Sequence, residues 1–271
     1  MSLLHYNFPS KYLRGNTDVN IILPDLPQGA VPEAFYGSGE KYPVLWLLHG
    51  GTEDYSVWVR KSNIELYATE NRLIVVMPSV MNSSYSDWAH FGGGYLAHEY
   101  IVRELMPLVY GWFPASPKRE DNFMAGSSMG GNGAWKFAVN YPEKFAACAM
   151  FSAAVPDFRA RYEADVKSGQ SSHISDLVNM YGGLEALLAS KENTMGVAEA
   201  LVRRGGAGQL PRLLASVGED DHVLRGVVGA VEYFRSLGIA VELRTVPGYG
   251  HEWRFWERSI QEALAFFGFR V

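Results

Sequence analysis

The sequence predicts a mostly parallel α/β sheet covered by helices on both faces, on three observations. Short apolar runs alternate with longer segments whose apolar residues recur at helical spacing. The runs are apolar along their length, as strands buried on both faces require. At 271 residues the chain is long enough for one large α/β domain that buries roughly three quarters of the surface its unfolded form exposes.

In chain order, the run 19–23 and the run 44–48 flank a Pro- and Gly-rich connection and read as a meander leading into the sheet. Strands follow at 44–48, 73–77, 122–125, 147–151, 213–217 and 241–246. Helices are expected at 59–70, 94–113, 130–140, 223–237 and 253–267, the fourth carrying Val227, Val231, Phe234 and Leu237 on one face. From about 155 to 212 the rhythm breaks. Gly, Ser and charged residues there predict short helices and loops inserted over the sheet as a small cap, with Leu184, Leu187 and Leu188 its most apolar part and the expected source of acyl selectivity.

Composition excludes several functions. The formal charge is −5 and no Lys/Arg run is present, so no nucleic-acid partner is expected. The first residues lack a basic start followed by a sustained apolar stretch, and no later segment approaches bilayer-spanning length. A soluble, cytoplasmic chain without membrane attachment is the expectation, and self-association into a homo-oligomer stays open. The single cysteine, Cys148, sits in an apolar run and reads as a buried structural thiol.

The chemistry concentrates where strands end, because open α/β sheets bind ligands beyond the carboxyl ends of their strands. Gly126-Ser127-Ser128-Met129-Gly130 follows an apolar run and precedes a helical segment, the setting of a nucleophile elbow with Ser128 at its apex. Glycines two positions to either side remove side chains that would strike the packed strand and helix. After the run 44–48 comes His49-Gly50-Gly51-Thr52, a loop suited to present the Gly51 N–H to a developing oxyanion, with the Met129 N–H at the helix start as second donor. The run 213–217 leads into Gly218-Glu219-Asp220-Asp221-His222, and the run 241–246 into Gly248-Tyr249-Gly250-His251. The order is serine, acid, histidine. His251 is the expected base, while the residues alone leave three adjacent carboxylates as the acid. Tyr85, Trp88, Phe91 and Trp253 are the aromatic residues expected to line a substrate cleft. Metal chemistry is not expected: His98-Glu99 begins a zincin-like pattern, but Val102 stands where its second histidine belongs, and His222 lacks ligand spacing.

Together, the segments 42–50, 73–78, 125–131 and 251–256 resemble the esterase D-like branch of the α/β-hydrolases. That branch includes feruloyl esterases, S-formylglutathione hydrolases and antigen 85 mycolyltransferases, and the resemblance is strongest to bacterial tributyrin esterases. It implies an α/β-hydrolase fold and a serine carboxylesterase acting on small short-acyl esters, with no cofactor. Acyl transfer, feruloyl or cinnamoyl ester cleavage and S-formylglutathione cleavage are the alternatives. The resemblance places the nucleophile on Ser128, the base on His251 and the acid on Asp221, with Asp220 as substitute. It places the first oxyanion donor on Gly51. Through 155–212 the match is poor, and substrate recognition does not carry over.

Overall fold

The computed structural model describes residues 2–90 and 93–271. Its main sheet has eight strands: β1 (Ser2–Ser10), β2 (Gly15–Leu23), β3 (Val44–Leu48), β4 (Ile74–Pro78), β5 (Asn122–Ser127), β6 (Ala147–Phe151), β7 (Arg212–Gly218) and β8 (Val241–Val246). Their spatial order is β1-β2-β4-β3-β5-β6-β7-β8. β1, β2 and β4 pair antiparallel, and from β4 through β8 every pairing is parallel. This is the α/β-hydrolase architecture that the sequence predicts.

The apolar runs are continuous because alternate residues serve opposite faces. Trp46, Leu48, Met124, Met150 and Val217 face a layer containing Tyr100, Trp135, Phe137 and Phe234. Leu45, Leu47, Phe123, Phe151 and Leu214 face Trp58, Phe255, Trp256 and Phe267. Cys148 is fully buried among the first set, where burial pushes its thiol pKa up and keeps it inert. Among the described residues no helix is long and apolar enough to cross a membrane.

Four elements differ from expectation; the expected helix 94–113 begins only at Ala97, after a two-residue strand Tyr95–Leu96, and passes through a π-helical turn at Tyr100–Leu105. β2 hydrogen-bonds β4 and not β3, so the N-terminal meander enters at the antiparallel end of the sheet. β1 was not expected; it is an outer strand in which only Phe8 and Ser10 are buried, so it lacks a dense apolar pattern, and its Pro9 is tolerated there. The expected helix 59–70 is two helices, Val57–Lys61 and Ile64–Asn71, broken where Ser62 is extended. Glu257 holds the break by accepting from the Asn63 backbone and side-chain N–H groups at 3.1 and 3.0 Å.

Between β6 and β7 lie the helices Phe158–Ser168, His173–Met180, Leu184–Leu188 and Thr194–Arg203. Asp157, Ser172 and Asn193 cap three of them by accepting backbone N–H bonds from Ala160, Ile174 and Gly196. The first three helices enclose a small core of Phe158, Ile174, Leu177, Val178 and Leu187, with Leu184 and Leu188 packed against it. Leu184, Leu187 and Leu188 thus pack on the insertion's own core.

The parallel register decides where the site forms. It sets Leu48 opposite Gly126, Ser127 opposite Phe151, Phe151 opposite Ser216 and Gly218 opposite Val246. The loops after β3, β5, β7 and β8 consequently emerge along one edge of the sheet.

Candidate active site

Ser128 caps the helix Met129–Asn140 with φ 51° and ψ −116°, a conformation that costs a non-glycine residue on the order of 1–3 kcal/mol. The surroundings hold it there. The Ser128 N–H donates to the Phe151 carbonyl at 2.8 Å, and the Ser128 carbonyl accepts from the Asn132 N–H at 3.1 Å. A Cβ on Gly126 would lie 2.5 Å from the Gly130 backbone, and one on Gly130 would lie 2.5 Å from the Leu48 carbonyl. Both flanking glycines are steric requirements of the turn.

The acid and histidine loops pack backbone to backbone. A Cβ on Gly218 would fall 2.0 Å from the Tyr249 carbonyl, which also accepts the Asp220 N–H at 3.0 Å. This contact turns Glu219 and Asp220 to solvent and buries Asp221. Asp221 Oδ1 accepts the Val223 N–H at 3.0 Å. His251 Nδ1 lies 3.2 and 3.1 Å from the two Asp221 oxygens, and its Nε2 lies 3.0 Å from Ser128 Oγ. The tautomer that uses both contacts has Nδ1–H donating to Asp221 and Nε2 accepting from the Ser128 hydroxyl. Trp256 stands edge-on to the imidazole at 5.1 Å. Geometry thus brings Ser128, His251 and Asp221 into one chain and leaves Asp220 outside it.

In the loop after β3, the Gly50 N–H donates to Glu53 Oε2 at 2.8 Å and the Thr52 N–H to Asn82 Oδ1 at 2.5 Å. Between them, the Gly51 N–H meets no acceptor among the described residues, nor does the Met129 N–H at the helix start. His49 serves as a clip: its Nδ1–H donates to the Gly50 carbonyl at 2.7 Å and its Nε2 accepts from the Val80 N–H at 3.1 Å. Burial lowers its pKa, so it stays neutral.

Residues 10–196 match the family model described as putative esterase. The chain belongs to this esterase family. An acetyl esterase of Caldicellulosiruptor saccharolyticus is 28% identical over 270 residues, 97% of each chain. Among solved structures, the substrate-bound fluorophosphonate-binding serine hydrolase F of Staphylococcus aureus superposes with a TM-score of 0.80 at 26% identity over 98% of each chain. The S-formylglutathione hydrolase of Staphylococcus aureus does so with a TM-score of 0.80 at 27% identity, again over 98% of each. By family, fold and neighbours this esterase is a serine carboxylic ester hydrolase.

The esterase has a pocket of about 260 Å³ beside the β3 loop, lined by Thr52, Glu53, Met81, Asn82, Ser83, Trp88 and Tyr95. Trp88 lines this pocket. Tyr85 does not: it is fully buried beneath, its hydroxyl donating to the His49 carbonyl at 3.1 Å and its ring filling the space that a Cβ on Gly133 would need. Trp253 is half-buried, its ring against Trp58 and Trp256 and its Nε1–H donating to Glu53 Oε1 at 2.8 Å. Phe91 lies outside the described residues.

Sequence reasoning missed two features. Lys136 and Glu192 form a buried ion pair that joins the helix after Ser128 to the insertion; two isolated charges 56 positions apart leave no local signal. Asp221, His222 and His251 bring ligand atoms within 4.8 Å of one another, a grouping able to hold a metal ion, although two of the three already bond each other. His222 itself is exposed, 3.4 Å from Asp221.

Proposed function

We propose that this esterase hydrolyses small, soluble short-acyl esters, acetyl to butyryl, through an acyl-enzyme on Ser128. His251 Nε2 takes the hydroxyl proton as Ser128 Oγ attacks the ester carbonyl, then delivers it to the departing alkoxide. Water enters next; His251 takes its proton as the new C–O bond forms and returns it to Ser128 as the carboxylic acid leaves. Asp221 keeps the imidazole in the required tautomer and stabilises the imidazolium. The unpaired N–H groups of Gly51 and Met129 donate to the tetrahedral oxyanion, where one such donor contributes on the order of 10²–10³ in kcat. No step calls for a metal or cofactor.

The observation that carries this reading is the continuous hydrogen-bonded chain from Ser128 through His251 to buried Asp221. The acetyl esterase relative points the same way. Cleavage of a glutathione thioester is the second reading, favoured by the S-formylglutathione hydrolase neighbour. A panel of p-nitrophenyl esters, acetylated sugars, cinnamoyl esters and S-formylglutathione separates the readings. The short-acyl reading expects kcat/KM to peak at two to four acyl carbons; a rise continuing to ten or twelve carbons refutes it.

A further inference from the structure

Glu53 lies outside the Ser128–His251–Asp221 chain, yet it touches both loops that the chain depends on. One carboxylate oxygen accepts the Gly50 N–H at 2.8 Å and the other accepts the Trp253 Nε1–H at 2.8 Å. Gly50 precedes the expected oxyanion donor Gly51, and Trp253 comes two residues after His251. The two loops follow β3 and β8, strands four places apart in the sheet, so no backbone ladder couples them. The packing is fitted to the bridge. A Cβ on residue 50 would lie 2.8 Å from Glu53 Oε2, so glycine is what admits the carboxylate. On the other side Trp253 is wedged between Trp58, whose Nε1–H donates to the Leu48 carbonyl at 3.0 Å, and Trp256, which abuts His251.

We propose that Glu53 is a positioning residue that fixes the Gly50–Gly51 peptide against the His251 loop, so that the Gly51 N–H stays aimed at the oxyanion. Charge suits the task, because hydrogen bonds from an N–H to an ionised acceptor are roughly twice as strong as neutral ones. With the Gly50 N–H held by Glu53 and the Thr52 N–H held by Asn82, Gly51 is left as the one donor of the three free to meet substrate. An oxyanion donor acts chiefly in the transition state, so displacing it lowers kcat and leaves ground-state binding almost unaltered.

The inference rests on the catalytic reading above. Glu53→Gln presents one acceptor and one NH₂ to two donors, so one arm of the bridge must break; Trp253→Phe removes the other donor and keeps the ring packing. Each is expected to lower kcat about 10- to 100-fold with KM within about threefold. Each should weaken a trifluoromethyl ketone inhibitor by the same factor as kcat/KM, a proportionality that general loosening of the fold would not produce. The double variant should be little worse than either single one, as expected for two ends of one bridge. Unchanged kcat in Glu53→Gln, additive losses in the double variant, or an effect confined to KM would each overturn the positioning role, the last marking Glu53 as a substrate-binding carboxylate in the pocket that it lines. Ser128→Ala, assayed alongside, distinguishes the failures: activity surviving there sinks the catalytic reading itself.

Discussion

Replacing Lys136 by methionine is expected to be strongly destabilising, and the structure supplies its magnitude. The Lys136 side chain is 3% exposed and the Glu192 side chain 0%. Lys136 Nζ donates to Glu192, to the Ser84 carbonyl at 2.9 Å and to Ser86 Oγ at 2.8 Å. Glu192 also accepts from Ser86 Oγ at 2.6 Å and from the Tyr181 hydroxyl at 2.9 Å. Methionine fills the stem of the lysine, so the loss is electrostatic: a carboxylate remains in the interior without its counter-charge, which costs about 3–5 kcal/mol. For a chain of this size that corresponds to a fall in Tm of roughly 6–20 °C. Pairing Lys136→Met with Glu192→Leu removes the stranded charge. Because the Tyr181 hydroxyl then loses its acceptor and Ser86 keeps only the Ser84 carbonyl at 3.3 Å, at about 1–3 kcal/mol for a group left unsatisfied, recovery is expected to be partial. Urea or thermal unfolding of the wild type, the two single variants and the double variant measures all four corners. A Lys136→Met protein within about 1 kcal/mol of wild type, or a double variant worse than both singles, would refute the argument.

Three further outcomes follow from the site and its surroundings. Ser128→Ala should lose several orders of magnitude in kcat while remaining folded, and mass spectrometry of the fluorophosphonate adduct should place the label on Ser128 and not on buried Ser127. Asp221→Asn should reduce kcat on the order of 10⁴-fold, since the amide favours the wrong imidazole tautomer, whereas Asp220→Asn should change it little; equal losses would move the acid to Asp220. Burial holds the pKa values of His49 and His98 below the ordinary 6.5, with nearby Lys191 and Lys136 adding to the shift at His98. Below pH 6.5 the unfolded chain therefore binds protons that the folded chain refuses. Stability should fall with pH by about 1.4 kcal/mol per unit for each of the two, His173 acting in the same sense. A His98→Phe variant should show the shallower slope in pH-dependent unfolding, and an unchanged slope would contradict the assignment.

The sequence by itself determined the features that depend on neighbours in the chain. Five of the eight sheet strands, β3 to β7, were legible because burial on both faces makes each a nearly unbroken apolar run; β2 and the half-exposed β8 were legible from shorter or mixed runs. Ser128 was legible because its turn needs Gly126 and Gly130 within two residues, and His251 because strand ends announce the edge where a ligand can sit. β1 escaped because an outer strand with two buried residues carries too little apolar pattern. What only the tertiary structure decided are the relations between distant segments. Three adjacent carboxylates are equivalent on paper; the approach of Gly218 to the Tyr249 carbonyl buries one of them and turns it toward His251. Tyr85 reads as a cleft aromatic until the space over Gly133 draws its ring into the core. The Glu53 bridge and the Lys136–Glu192 pair left no trace in the sequence, since a carboxylate gains meaning only from the donors that packing brings to it, and those donors lie 200 and 56 positions away.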